Sequence, residues 1–564
     1  MENLKFEPPG PGSWTLETVH FTRPFSLFAS ERFFDALTEG MRQSNAYYGN
    51  PLESLQFRSV NRFMYNQPRP VGAPEGAIGS PPKWLFRLIQ YLHPAVRRRR
   101  ERANWAFREK LWRQDVELWD TGVKPKALAR AAELRAVDLE QLDDESLIAH
   151  LNDCSDFVYQ TIVNHHRFNN CFALPVGDFL AQASGWSGLS AGELLRLFEG
   201  YSEVSRGSMK EMMALREALA DDRETTALIR SDAPSEQIIE ALRTRTDPVG
   251  RAVNAYMDRA GYCMLTGYDV ADLMAIEMPD TMLRLIRSAL DGGTQEGDLA
   301  GDKVTAEIRD RIPDQHKAAF DELLAEARFV YRIRDERGAM GDAMSTAIAR
   351  RAVLEAGRRL ADRNKIEDAT ELVDATLKEI AGLLRGGSTP TADEIHGRAH
   401  YRLTHSVEDA PLFLGAPASP PPPVDWFHKS GRRIQNASMT MFRMMFESSK
   451  SVSDEKVVRG LPIFPGTYEG RVCIVDGITD IEKIVEGDVM VARTTAPSFN
   501  VFLPLIGAVV TDRGGLLCHA AIVAREYGLP AVVGCGDATE RLSDGMTVRV
   551  DGEKGEVWIL DGKI

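Results

Sequence analysis

The segment from residue 507 to residue 534 constrains the fold most, because a strand, a glycine turn and a helix follow one another directly. Residues 507–511 are apolar and β-branched like a strand, and residues 520–527 have helical spacing. Gly514 and Gly515 stand between them, and His519 lies where the turn becomes a helix N-terminus. Unpaired N–H groups and the helix dipole both favour an anion at that position.

His519 has the properties of a phosphoryl acceptor. A neutral imidazole is a nucleophile near pH 7, and the helix N-terminus would stabilise the incoming negative charge. Gly514 and Gly515 allow positive φ and close approach of the backbone to phosphate. The alternative is a structural histidine that caps the turn. We expect Arg525 to pair with an acidic side chain or an adjacent loop, and Cys518 to be a small buried residue.

This run resembles the swivelling phosphohistidine domain of the phosphoenolpyruvate-utilising enzymes. The matching positions surround the histidine: Gly514, Gly515, His519, Ala520, Ala521, Ala524, Arg525, Glu526, Gly528, Pro530, Ala531 and Gly534. Upstream, residues 494–499 resemble the Thr-Thr-x-Pro segment of that family. The resemblance implies that His519 is phosphorylated. Leu517 stands where the dikinase branch has a regulatory threonine, which disfavours that branch.

A proline-rich segment divides the chain. Residues 416–424 have the composition of a stiff polyproline linker, and residues 434–449 hold four methionines in a helical pattern, so we predict a linker and hinge helix at 416–456. Residues 1–415 are predicted to be mostly helical, and residues 457–564 to form a small β/β/α module. The predicted fold class is multidomain α + α/β, with a large helical domain followed by a swivelling domain.

Periodicity locates the individual elements. Helices are expected at 128–156, 191–219, 235–244, 318–337 and 345–363. Strands are expected at 471–475, 488–492, 508–510, 531–533, 547–550 and 556–560.

The order of the parts resembles rifampin phosphotransferase without its ATP-grasp domain. It is similar to the histidine-bearing subunit of split enzymes of the phenylphosphate synthase type, which phosphorylate phenols or cresols. Weaker similarity to their acceptor-binding domains lies at Trp14, His20 and Pro24 and at residues 350–361. Residues 1–415 would then bind the acceptor.

The resemblance also implies partners. A separate ATP-grasp subunit would bind ATP with Mg²⁺, and His519 would take the β-phosphoryl group, with AMP and phosphate released. The acceptor would be the hydroxyl of a small aromatic alcohol of phenol or cresol type. The alternatives are a split rifampin-type antibiotic phosphotransferase and a phosphocarrier that passes phosphate to another protein.

Residues 328–337 supply candidates for the acceptor site, because the run resembles the basic helix near the acceptor site of rifampin phosphotransferase. Arg334 and Arg337 lie three positions apart on one helical face. The alternative is a solvated face paired with the neighbouring acidic residues. His165 is a candidate base for the acceptor hydroxyl, and a structural histidine is the alternative.

Charge and composition disfavour several classes of protein. A net charge of -14 over 564 residues disfavours nucleic-acid binding. Six scattered cysteines without zinc spacing are typical of reduced thiols, and the sequence has no signal-peptide or membrane-span pattern. We therefore expect a cytoplasmic protein without a membrane partner, and no metal or organic cofactor bound by this chain. The run 97–102 is expected to be an exposed helix face or a docking site for an acidic partner.

Overall fold

The computed structural model describes the chain except residues 1–3, 19, 202–208, 221, 263, 265–266, 291–300, 418, 447–453, 455, 476–479, 481–482, 496–498, 500–502 and 562–564. Its contacts divide the chain into two units. Unit 1 comprises Met1–Phe179, Tyr268–Ala271 and Glu336–Met439, and unit 2 comprises Leu180–Gly267, Asp272–Asp335 and Thr440–Ile564. The domain boundaries expected at residues 415 and 457 remain predictions.

Unit 1 contains a four-stranded antiparallel sheet that the sequence did not predict. Its strands are β1 (Ser13–Leu16), β2 (Leu52–Val60), β3 (Phe63–Pro70) and β4 (Phe413–Gly415), in the order β2-β3-β1-β4. Asn61 and Arg62 form the two-residue turn of the β2–β3 hairpin with φ of 49° and 68°. Hairpin turns of this kind usually carry glycine, so the turn gave no sequence signal.

The first helices of unit 1 follow, and the first of them packs against β2. They are α1 (Leu27–Tyr48), α2 (Lys83–Leu92), α3 (Pro94–Arg108), α4 (Leu111–Leu118), α5 (Lys124–Arg135), α6 (Asp144–Arg167) and α7 (Asn169–Ser187), which ends in unit 2. The single helix expected at 128–156 is two helices, α5 and α6. The break occurs because the Asp143 side chain accepts a hydrogen bond from the Ser146 N–H at 2.7 Å and caps a new helix.

Unit 2 continues as short helices. They are α8 (Ala191–Leu195), α9 (Met209–Leu219), α10 (Arg223–Ile229), α11 (Ser235–Arg243), α12 (Pro248–Tyr256), α13 (Pro279–Leu290), α14 (Gly301–Asp310), α15 (Asp314–Tyr331) and α16 (Ile333–Arg337), which ends in unit 1. The helix expected at 235–244 is confirmed by α11. The helix expected at 318–337 is divided into α15 and α16, and only α8 and α9 occupy the described part of 191–219.

The chain then returns to unit 1 with α17 (Met344–Asp362), α18 (Leu377–Leu384) and α19 (Ala392–Thr404), followed by α20 (Arg432–Phe446), which ends in unit 2. The helix expected at 345–363 is confirmed by α17. Small side chains of α17, including Ala352 and Ala356, are fully buried in one core with Leu147 and Leu151 of α6. That packing fixes the position of α6, which carries His165.

The predicted proline linker lies against α2 within unit 1. The Ser419 N–H donates to the Ile78 carbonyl at 2.8 Å, and Lys83 Nζ lies 2.9 Å from Asp425 Oδ2. The Phe86 and Trp426 rings are 6.0 Å apart. The polar hinge expected at 448–455 lies, apart from Asp454, outside the described residues. Swinging about this region therefore remains a prediction.

The C-terminal part of unit 2 is an eight-stranded sheet. Its strands are β5 (Val457–Arg459), β6 (Leu461–Phe464), β7 (Thr467–Ile474), β8 (Asp488–Ala492), β9 (Ile506–Thr511), β10 (Ala531–Val533), β11 (Thr547–Asp551) and β12 (Glu556–Asp561), in the order β5-β12-β11-β7-β8-β9-β10-β6. Its helices are α21 (His519–Tyr527) and α22 (Ala538–Arg541). All six expected strands are confirmed, as is the combination of a helical region with a C-terminal α/β module.

The direction of the central strands locates the functional edge of this module. Strands β7, β8, β9 and β10 are parallel neighbours. Their carboxyl ends therefore meet at one edge, so the loops after Ala492 and Thr511 lie side by side. Valines of these strands are fully buried and hold the edge in place. No helix within the described residues is long and apolar enough to cross a membrane.

Candidate active site

The loop from β9 to α21 places His519 as the first residue of α21. Asp512 anchors this loop, because its carboxylate accepts hydrogen bonds from the backbone N–H groups of Ala538 at 2.6 Å and Thr539 at 3.2 Å. The Arg513 N–H donates to the Arg493 carbonyl, which ties the loop to the end of β8. The N-cap residue, Cys518, makes no side-chain capping bond. The histidine therefore stands at a helix N-terminus, as the sequence predicted.

The two ring nitrogens of His519 differ in their surroundings. Nδ1 lies 3.1 Å from the Thr495 hydroxyl oxygen. Nε2 is buried and has no hydrogen-bond partner among the described residues, which exclude 496–498 nearby in the chain. When the Nδ1–H donates to Thr495, the lone pair of Nε2 is free for chemistry.

The surroundings of His519 keep its ring neutral. Burial, with a further contribution from the nearby Arg334 cation, lowers the pKa of His519 to about 3. Arg334 is held in place, because Nη2 donates to the Leu517 carbonyl at 2.7 Å and Nη1 lies 3.0 Å from Asp335 Oδ1. At pH 7 the ring is therefore an unprotonated nucleophile beside a fixed positive charge.

The two glycines of the loop allow close packing that a side chain would prevent. Gly514 has a φ of +114°, and a Cβ there would lie 2.7 Å from Cys518 Sγ. A Cβ on Gly515 would lie 2.4 Å from the Met444 carbonyl oxygen, and the Gly515 N–H donates to the Met445 carbonyl at 3.1 Å. The loop thus sits directly on the last turn of α20. Phosphate binding by these glycines remains a prediction.

Arg525 and Cys518 have structural surroundings. Arg525 is only 5% exposed, and its Nη1 donates to the Leu516 carbonyl at 2.8 Å, which confirms the expected pairing with an adjacent loop. Burial lowers the pKa of the Arg525 guanidinium and raises the pKa of the Cys518 thiol. Cys518 is half-buried and protonated at neutral pH, which fits a packing role.

A second polar cluster lies in unit 1 around His165. Nδ1 of His165 lies 2.6 Å from Asp342 Oδ2, and the His165 and His166 rings stack with centroids 4.5 Å apart. Arg337 Nη1 donates to the His165 carbonyl at 2.6 Å and also contacts the side-chain oxygen of Asn169. The sequence candidates His165 and Arg337 are therefore brought together.

Asp342 reaches this cluster because the helix widens. Residues Gly338–Ala343 form a π-helical stretch between α16 and α17. Such stretches occur often at functional sites. Burial raises the pKa of Asp342 to about 7, although His166 and Arg337 oppose that rise. Sequence reasoning missed Asp342, and the only available signal was the pair of glycines that interrupts the helical pattern at 338 and 341.

Aromatic side chains in unit 1 pack against α6, the helix that carries His165. The Phe21 ring lies 4.4 Å from that of Phe25 and 5.9 Å from that of Tyr268. His20 lies 6.3 Å from the Tyr268 ring and is close enough to His166 to lower the pKa of that residue, although burial is the main cause. The segment around His20, which resembled acceptor-binding domains, therefore belongs to the same unit as the His165 cluster.

The other acceptor candidate, Arg334, lies elsewhere. Its contacts are with Leu517 and Asp335 in unit 2, whereas Arg337 contacts His165 and Asn169 in unit 1. The spacing of three on one short helix therefore does not give the two arginines the same partners. The role of Arg334 at the acceptor remains a prediction, but its position beside His519 is observed.

Part of the C-terminal module is similar to a known family. Residues 484–555 match the family described as PEP-utilising enzyme, mobile domain. The matched residues contain β8 to β11, and with them His519, Thr495 and both loop glycines.

Several curated proteins are similar to the chain. A phosphoenolpyruvate synthase from Aeropyrum pernix is 50% identical over 105 residues, which are 18% of this chain and 13% of that protein. The uncharacterised phosphotransferase YvkC of Bacillus subtilis is 27% identical over 317 residues, covering 55% of this chain and 36% of the relative. A rifampicin phosphotransferase from Streptomyces sviceus is 28% identical over 326 residues, covering 55% and 34%. The chain thus spans about a third or less of the length of these relatives.

The lengths of these matches bear differently on the His519 site and on the His165 cluster. The match of 105 residues to the phosphoenolpyruvate synthase is longer than 484–555, and the matches of 317 and 326 residues must extend well beyond it. Arg334, His165 and Asp342 all lie outside 484–555. Their roles therefore have to be argued from geometry.

Proposed function

We propose that the chain is the histidine-bearing subunit of an ATP-dependent phosphotransferase that carries a phosphoryl group on Nε2 of His519. The observation that carries this proposal is the protonation and the hydrogen bonding of that ring. It is neutral, its Nδ1 faces Thr495, and its buried Nε2 has no hydrogen-bond partner in the described part of the chain. The mobile-domain match and the phosphotransferase relatives support the same chemistry.

Charging takes place at a separate ATP-grasp subunit that holds ATP with Mg²⁺. Nε2 of His519 attacks the β-phosphorus, an N–P bond forms, and the bond from the β-phosphorus to the AMP oxygen breaks, so the ring first carries both the β- and γ-phosphoryl groups. Water then attacks the γ-phosphorus, phosphate leaves, and the β-phosphoryl group stays on Nε2. The proton on Nδ1 stays in its contact with Thr495. The Arg334 guanidinium lies close to the ring and stabilises the negative charge that arrives.

Discharge takes place at the His165 cluster. The hydroxyl oxygen of the acceptor attacks phosphorus while His165, paired with Asp342, takes its proton. The N–P bond breaks, and the imidazole leaves as a neutral group because Nδ1 has kept its proton. Arg337 is fixed beside this pair and supplies positive charge. The rings of Phe21 and Tyr268, which lie in the same unit, favour a small aromatic alcohol, such as a phenol or cresol, as acceptor.

A rifamycin-type antibiotic is the second candidate acceptor. The similarity to rifampicin phosphotransferase covers 55% of the chain and therefore includes part of the helical region. A phosphocarrier function would instead leave the phosphate on another protein. An acceptor panel separates these possibilities.

The test uses ATP labelled at the β-phosphate, the full chain and a candidate ATP-grasp subunit. The chain should gain an acid-labile label only when that subunit is present, and His519→Ala should gain none. His316→Ala is a matched control, because His316 lies in the same unit and stacks on Trp186 with ring centroids 4.9 Å apart. Phenol, cresols and a rifamycin are then added to the labelled chain. Equal labelling of His519→Ala and the wild type would refute the proposal.

A further inference from the structure

A cavity of about 530 Å³ in unit 1 is lined by none of the residues of the His519 site or the His165 cluster. Its lining combines α1, the start of β2, the turn after β3 and the first turns of α3, through Ala46, Glu53, Val71, Gly72, Ala95, Arg98, Arg99 and Arg102. We call it the arginine cavity. Three arginines against one glutamate give its lining a formal charge of +2.

Arg99 places a buried donor without a protein acceptor in the lining of the cavity. Its Nη1 is buried and finds no hydrogen-bond acceptor in the described parts of the chain. Burial lowers the pKa of the Arg99 guanidinium, and the Glu53 carboxylate only partly opposes that effect. Leaving a charged donor buried without an acceptor costs free energy, so an anionic ligand in the cavity would stabilise this arrangement.

The first turn of α3 adds a second source of positive potential. Pro94 occupies the start of the helix, the N-cap residue His93 makes no side-chain capping bond, and the first turn contains no acidic residue. The positive end of the helix dipole is therefore not neutralised from within the turn. Nδ1 of His93 is also buried without a hydrogen-bond partner among the described residues.

The arginines stand on a rigid frame. Gly49 ends α1 with a φ of 76°, and a Cβ there would lie 2.3 Å from the Arg99 carbonyl oxygen, so α1 rests directly on the backbone of α3. Arg102 Nε donates to the Tyr47 carbonyl at 2.6 Å, and its guanidinium lies 4.2 Å from the Trp105 ring centroid. A preorganised site loses less free energy in ordering when it binds.

We propose that the arginine cavity binds a small organic phosphate. The guanidinium fork matches phosphate oxygens bidentately. A phosphate monoester carries about -1.5 to -2 charges at pH 7, which complements a lining of +2. The cavity also lies within the range of about 300–1,000 Å³ typical of sites for organic ligands, so it has room for more than the phosphate group. The inference is independent of phosphotransfer by His519.

The test is calorimetric titration of the full chain with glycerol 3-phosphate and glucose 6-phosphate. Glycerol, glucose and inorganic phosphate serve as reference ligands. At least one ester should bind saturably below about 1 mM, and Arg99→Gln should weaken it by about tenfold or more, as expected for a charge-assisted contact. Arg97→Gln is the matched control, because Arg97 lies on the same helix but is 56% exposed and sits 3.9 Å from Glu101. It should change the affinity less than about twofold.

Arginine modification by phenylglyoxal gives a readout that does not depend on a variant. Glycerol 3-phosphate should protect Arg98, Arg99 and Arg102 from modification but not Arg97. Absence of saturable binding by both esters would overturn the proposal. So would equal weakening by the Arg97 and Arg99 variants, or inorganic phosphate binding as tightly as the esters.

Discussion

Two physical effects lower the pKa of His519. Burial removes water from the ring, and the Arg334 cation repels a proton, so both disfavour the imidazolium form. Under the proposed function, the same cation would also attract the phosphoryl group when it arrives. One residue would then both prepare the nucleophile and stabilise its product.

Replacing Arg334 with glutamine tests this double role. Without the cation, the pKa of His519 should rise from its low value while burial still holds it below the usual 6.5. Labelling from ATP should slow by roughly 10- to 1,000-fold, the range seen when one electrostatic group is removed from an active site. NMR titration of the His519 ring and a time course of labelling measure the two effects.

Arg334→Lys is the control for charge. It keeps the cation, so the pKa of His519 should stay close to that of the wild type even though the contact with the Leu517 carbonyl changes. An unchanged His519 titration in Arg334→Gln would show that the arginine does not act on the ring.

Asp342 should control discharge of the phosphoryl group. Its pKa of about 7 means that the carboxylate, the form that pairs with a protonated His165, becomes populated as the pH rises through 7. In Asp342→Asn, transfer from labelled His519 to a phenol should fall by roughly 10²- to 10⁴-fold and lose its rise through pH 7. Charging by ATP should be unchanged, which a single-turnover assay of each half-reaction can show.

Asp342 should also make the free energy of unfolding depend on pH. An acid whose pKa is raised from 3.8 to about 7 binds more protons in the native state, so this group stabilises the fold least above pH 7. Asp342→Asn should therefore gain stability relative to the wild type as pH rises from 4 to 8. Urea unfolding at both pH values measures the difference, and an unchanged difference would contradict the assigned burial.

At the scale of elements, the glycine loop depends on its contact with α20. A Cβ on Gly515 would meet the carbonyl oxygen of Met444 at 2.4 Å, and a backbone atom cannot rotate away. Gly515→Ala should cost about 1–3 kcal/mol of stability, as overpacking does, and should slow labelling of His519 because the loop must shift.

Gly185→Ala is the matched control for this change. Gly185 lies in α7 in the same unit, and a Cβ there would meet nothing within 4 Å. Alanine in a helix is favoured over glycine, so this variant should be more stable by about 0.5–1 kcal/mol. Urea denaturation measures the free energy of unfolding of both variants. An equal change in the two variants would show that the loop tolerates the side chain.

These elements also show what the sequence could predict. The strand, turn and helix around His519 were predictable because each carries a local signal: β-branched residues, paired glycines and helical spacing. The β2–β3 hairpin was not, because Asn61 and Arg62 adopt left-handed conformations without a glycine. Arg334 and Asp342 reach their sites through tertiary packing and a π-helical stretch, neither of which leaves a periodic pattern.

At the scale of the whole molecule, charging and discharge are assigned to residues of different units. His519, Thr495 and Arg334 belong to unit 2, whereas His165 and Asp342 belong to unit 1. Under the proposed function one chain carries both sets, so the phosphoryl group would be tethered to its own acceptor site. Tethering gives an effective concentration in the millimolar range for short flexible linkers, far above that of micromolar protein.

This argument predicts that transfer occurs within one chain. His519→Ala cannot be charged, and Asp342→Asn is expected to charge without discharging. When the two variants are mixed at about 10 µM with the ATP-grasp subunit and a phenol, the rate should stay at least roughly 100-fold below that of the wild type, since transfer between chains lacks the effective concentration of the tether. Product formation that approaches the wild-type rate and grows with the concentration of His519→Ala would show transfer between chains. Such a result would favour the phosphocarrier function, because a mobile domain that serves foreign acceptors equally well gains nothing from an acceptor site of its own.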